Sequence, residues 1–131
     1  MTAGLGSRLP IEAIDRLAPF VARDSLERMR VLRTPPASWL PAFLGMSATT
    51  FAPFVAFRQG RFDAATARGL ALIAHEAGHI TQAREMGLPL FLIRYAIANV
   101  KCGFRHDQHP LEVPMIALQV QVRAALEGNQ P

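Results

Sequence analysis

The sequence predicts an α+β fold: a small antiparallel β-sheet drawn from residues 29 to 58, packed on one buried helix, with two further helices on its C-terminal side. Three observations carry that prediction. A long segment from Asp63 to Met86 has helical apolar periodicity and stop signals, β-branched and aromatic runs cut by proline precede it, and two apolar stretches follow it. With 131 residues, 50% of them hydrophobic and 18% charged, the chain has room for one domain spanning 1–131 and falls in the folded globular class. A chain this long buries roughly two-thirds of the surface its unfolded form exposes, so it needs no disulfide. The single Cys102 fits that reading: it can form no internal bridge and no CxxC metal site, and it predicts a reducing compartment or indifference to redox state.

Taken in order, Leu9 to Ala22 places Ile11, Ile14, Leu17 and Ala18 on one stripe of an amphipathic helix that Pro19 ends or kinks. Ser25 to Arg28 predicts another helical turn. Met29 to Thr34 alternates apolar with basic residues as a half-buried strand does, and Pro35 and Pro36 stop it. Trp39 to Leu44 predicts a turn of helix broken by Gly45. From Met46 to Phe62, Thr49, Thr50, Phe51, Phe54, Val55 and Phe57 predict two short strands joined by a bend at Pro53. In the long helix Asp63 takes the N-cap role and Gly87 the stop, with Leu70, Ile73, Ala77 and Ile80 on its buried sector. Leu88 to Val100 predicts a second, buried helix, Lys101 to His109 a polar loop, and Pro110 to Leu126 a third helix with Pro110 near N1.

Several classes are excluded on composition. Met1 to Pro10 lacks the basic and apolar regions of a secretory signal, which predicts a cytoplasmic protein unless a non-classical route delivers it. Leu88 to Val100 falls far short of the ~20 residues needed to span a bilayer and carries Arg94 at its middle. The net charge of +4 comes from arginines scattered from Arg8 to Arg123, with Lys101 the only lysine and no nucleic-acid-binding motif, so the charge is read as solvated surface.

One motif carries chemistry. His75-Glu76-Ala77-Gly78-His79 is an HExxH pattern, and residues four apart on a helix lie ~40° and ~6 Å apart, so the two imidazoles project to one side and can share one metal. Four His and six Glu in the chain make a chance match about a one-in-two-hundred event. The competing reading, two ordinary core histidines, requires two imidazoles and a carboxylate to be desolvated on one helix with nothing to satisfy them together. The longer HxxGxxH continuation is absent, because Gln82 stands where it needs Gly and Glu85 where it needs His. Glu85 is read as surface charge. The remaining type of site takes a glutamate from a later helix, for which Glu112 leads. Its rivals are His106, Asp107 and His109, and an ordinary N3 capping role after Pro110.

The runs Leu26 to Val31, Ala48 to Phe51 and Phe54 to Asp63, leading into Leu70 to Gln82, resemble the eCIS-core metallopeptidase domain, and His109-Pro110-Leu111-Glu112 resembles its later Pro-x-Glu element. The resemblance covers about residues 26 to 120; Pro114 and Met115 stand where the family usually has Glu and Ala. It implies a minimal zincin-like, gluzincin-type fold and a link to extracellular contractile injection systems and toxins. It also implies zinc held by His75, His79 and Glu112, with Glu76 as general base of peptide-bond hydrolysis. In that reading zinc keeps a water in its fourth position, Glu76 takes the water's proton, and His106 or His109 serves as an outer or transition-state donor. Tyr95 is a candidate oxyanion donor, against the plainer role of a core tyrosine. Two alternatives belong to other classes. One is a metal-stabilised scaffold or interaction module without catalysis; the other is a membrane-surface or partner-binding protein using Leu88 to Val100.

Overall fold

The computed structural model describes residues 6–128. In chain order they form α1 (Ile11–Leu17), α2 (Arg23–Arg28), β1 (Arg30–Leu32), α3 (Trp39–Phe43), β2 (Ala48–Phe51), β3 (Phe54–Phe57), α4 (Ala67–Met86), α5 (Leu88–Lys101), a 3-10 turn (His106–Gln108) and α6 (Val113–Gly128). This is an α+β fold with a sheet of order β1-β3-β2. The core runs from α1 and α2 across the sheet to α4 and the end of α6, with Leu17, Leu26, Met29, Val55, Phe57, Leu70, Ile73 and Val122 fully buried.

The sheet is mixed, which corrects the expected antiparallel one. β2 and β3 form the expected antiparallel hairpin across Ala52 and Pro53, but β1 pairs with β3 in parallel, Val31 opposite Val55. The reason lies in connectivity. β2 returns through α3 to run opposite to β1 two places away in the sheet, and β3, turning back from β2 into the gap between them, lies parallel to β1. As expected, the first helix stops before Pro19 and the separate turn around Ser25 to Arg28 is helical, starting at Arg23 as α2.

α4 begins at Ala67, four residues later than expected. Asp63 does not cap the helix; its carboxylate accepts from Ala65 N (2.8 Å) and Thr66 Oγ1 (3.0 Å), closing the turn before it. Thr66 is the cap, its hydroxyl accepting from Gly69 N at 3.1 Å. Gly69 is required there, since a Cβ would lie 1.9 Å from the Asp63 carbonyl oxygen. Further along, a Cβ on Gly78 would lie 1.9 Å from Met115 Sδ, so the glycine inside the HExxH motif lets α6 approach α4 closely. Pro114 falls in the first turn of α6, where a missing N–H costs no helical hydrogen bond.

α5 corrects a second expectation. Only Phe91 and Ala98 are buried in it, while Leu90, Ile93, Ile97 and Val100 are exposed. The helix touches α4 along one stripe, and its high apolar content reflects an uncovered outer face. Among the described residues no helix is long and apolar enough to cross a membrane. The expected Lys101–His109 loop is shorter than predicted, because α5 runs through Lys101 and a 3-10 turn takes up His106–Gln108.

Candidate metal centre

α4 brings His75, Glu76 and His79 to the floor of a cleft of about 780 Å³, each side chain buried at the contact with α6. One wall of the cleft is the β2 edge, Ser47 to Phe51. The opposite wall is α5 with Phe104 and His106. Glu112 sits in the turn entering α6, 1% exposed, and its Oε1 lies 2.8 Å from His75 Nε2, 2.7 Å from His79 Nε2 and 3.2 Å from His106 Nε2. The Tyr95 hydroxyl donates to the other oxygen, Oε2.

The rival capping geometry at this glutamate is not what forms. α6 starts at Val113 instead of near Pro110, so Glu112 precedes the first helical residue, and its carboxylate bonds run to imidazoles and a phenol. Burial alone would raise the Glu112 carboxyl, but the hydrogen bonds from His106, His75 and His79 overcome it and hold the group well below the usual carboxylate range. On His79, burial is the largest influence and favours the neutral ring, but the Glu112 hydrogen bond together with the charges of Glu76 and Glu112 and the Gln82 contact overcomes it, so its pKa is raised; on His106 the Glu112 bond is the leading cause of a rise. Burial, then the Glu112 contact, pushes the Tyr95 phenol far up, so it stays a protonated donor.

The outer nitrogens decide how the cluster is read. Gln82 donates from Nε2 to the Leu111 carbonyl at 3.0 Å, which turns its Oε1 toward His79 Nδ1 at 2.8 Å. His75 Nδ1 likewise meets Gln119 Oε1 at 2.8 Å. Each imidazole therefore faces acceptor oxygens with both nitrogens. A neutral ring has one proton to give, and once Nδ1–H goes to the glutamine, the Nε2 lone pair points at a carboxylate oxygen. Two imidazolium ions would solve this at the desolvation cost of buried charge. A cation between the Nε2 atoms and the carboxylate solves it without added protons.

The donor set fits such an ion. His75, His106 and Glu112 offer atoms all within 4.8 Å of one another; His79 meets the same Glu112 oxygen from outside that group. A tetrahedral ion with ligands at ~2.0–2.1 Å sets its donors about 3.3 Å apart, so the imidazole contacts to Glu112, at 2.7–3.2 Å, need open by about 0.1 to 0.6 Å.

The other sequence candidates divide. Glu76 lies beside the cluster and accepts from Thr50 Oγ1 at 2.8 Å. His106 joins the cluster. His109 does not: fully buried, it accepts from Leu111 N at Nδ1 (3.1 Å) and donates from Nε2 to the Tyr95 carbonyl (3.0 Å), tying α5 to the turn before Glu112. Asp107 makes no contact with the cluster, Glu85 is exposed, and the Cys102 thiol donates to the Asn99 and Arg105 carbonyls. Sequence reasoning gave no role to Gln82, Gln119 or Thr50. Two of them carried a signal: Gln82 lies three residues past His79, and Gln119 lies seven past Glu112, two turns along one helix face.

Fold and cluster together define an α+β protein with a buried His–Glu group able to hold a metal ion. Comparison with known families then places the chain: the model of the eCIS core domain matches residues 8–87, and the protein belongs to that family. The match takes in His75, Glu76, His79 and Gln82 and ends before Tyr95, His106 and Glu112. No curated protein and no solved structure matches the chain.

Proposed function

We propose that this protein is a zinc-dependent metallopeptidase of gluzincin type, with zinc held by His75, His79 and Glu112. The observation that carries the reading is His79 between two acceptor oxygens, Gln82 Oε1 and Glu112 Oε1, a placement that an ion at Nε2 makes favourable. Nitrogen and carboxylate donors without thiolate suit zinc. When bound, zinc polarises a carbonyl and lowers the pKa of water toward ~7.

The chain's own residues divide the remaining work. Thr50 donates to Glu76 Oε1 and fixes the carboxylate, which leaves Oε2 to take a proton from water and return it to the leaving amine. Tyr95 keeps its proton and lines the cleft opposite β2, where it can donate to a developing oxyanion. A peptide suits the cleft because β2 is an edge strand. Arg58 N donates to Ser47 O, so in this register Ala48 and Thr50 turn their backbone N–H and C=O away from β3, free to pair with an extended chain. A toxin or injection-system partner belongs to the same proposal.

Glu76→Gln tests the reading. It keeps the shape and removes the base, so zinc content should persist while chelator-sensitive peptide cleavage falls about a hundredfold or more. Equal cleavage by both proteins would leave a metal-stabilised scaffold as the better account.

A further inference from the structure

We propose that His106 is a fourth protein ligand, which closes the metal centre in the state described here and makes the isolated protein latent. The inference rests on the metal reading above and goes past it, since three protein ligands and an open position are what hydrolysis requires. Three imidazole Nε2 atoms converge on one oxygen of Glu112, and His106 is one of them, at 3.2 Å. Its ring is stacked nearly parallel to that of His75, 12° between planes, and its half-exposed side chain lines the cleft, so it meets the cluster from the open side. That is the side from which a water or a substrate carbonyl must come.

His106 differs from the other two histidines in how it is held. His75 and His79 stand on a buried helix with their outer nitrogens fixed by glutamines, whereas the His106 side chain is 46% exposed and makes no hydrogen bond beyond Glu112 among the described residues. It rides on a single 3-10 turn. One end of that turn is anchored through buried His109; the other follows Gly103 and Phe104, both in the left-handed region at φ 66° and 62°. A left-handed Phe104 preceded by a permissive glycine at one end and an anchor at the other describe a flap that can swing about residues 103–104. Withdrawing His106 opens the fourth position and leaves His75, His79 and Glu112 in place.

Cobalt(II) exchanged into the full chain reads the coordination directly, with azide as the probe of an open position. The expected result is a four-coordinate visible spectrum in the wild type that resists azide. In His106→Ala, azide should shift the bands at concentrations at least about tenfold lower, and affinity for zinc in competition with a chelator should fall by about tenfold. Peptide cleavage should rise in that variant, and His106→Cys, which restores a ligand, should again resist azide. Identical spectra and affinities in wild type and His106→Ala would overturn the inference while leaving the three-ligand centre standing. Lower cleavage with unchanged affinity would overturn it in favour of a transition-state donor. Failure of the wild type to bind either metal would overturn the metal reading itself.

Discussion

The two sides of the cleft are built differently, although the sequence makes the helices that form them look alike. On the α4–α6 side the outer nitrogens of both α4 histidines have fixed partners: Gln82 bridges His79 and the Leu111 carbonyl, Gln119 meets His75, and Met115 lies over Gly78 where the helices cross. On the α5 side the helix buries only Phe91 and Ala98, and the residues that face the centre, Tyr95 and His106, come from a half-covered helix and a single turn. One wall is organised to hold a ligand set in place; the other can change without disturbing it. Both halves of that statement can be broken experimentally.

The largest effect is expected on the fixed wall. Gln82→Ala removes the acceptor that sets the His79 tautomer, and loss of such an outer partner weakens metal binding by about 10- to 100-fold. Chelator competition measures it, and an unchanged affinity would mean the glutamine is only surface packing. Tyr95→Phe should do less, though the phenol touches Glu112 directly. The carboxylate keeps its imidazole partners, so the loss is close to one hydrogen bond to a charged group, about 1.5 kcal/mol or roughly tenfold in zinc affinity. A larger loss in Tyr95→Phe than in Gln82→Ala would reverse the assignment of the two walls.

Much of the fixed wall was legible from residues alone. The i, i+4 spacing of His75 and His79 is a helix-face statement, and burial of Leu70, Ile73 and Ile80 follows from the same periodicity. Glu112 led the ligand candidates because one helix and a loop let the chain return to α4, with capping as a rival reading of the same residue. In the structure its carboxylate turns to two imidazoles and a phenol instead of to the N-terminal N–H groups of α6. Strand direction was not legible, because parallel pairing of β1 depends on the path through α3 and β2. Nor was the exposure of α5: an apolar helix reads as buried whether or not anything covers its outer face. Gln82 was read only as a departure from the longer motif and Gln119 not at all, because glutamine is an unremarked surface residue until an imidazole stands beside it.

The central claim is that Glu112 completes a metal centre with the two histidines of α4. The most direct measurement is the metal content of wild type and Glu112→Ala, both purified without added metal and exposed to the same mild chelator. The account predicts close to one zinc per wild-type chain and loss of tightly held zinc in the variant, which leaves its histidines without the carboxylate they converge on. Full zinc retention in Glu112→Ala, or none in the wild type, would contradict it.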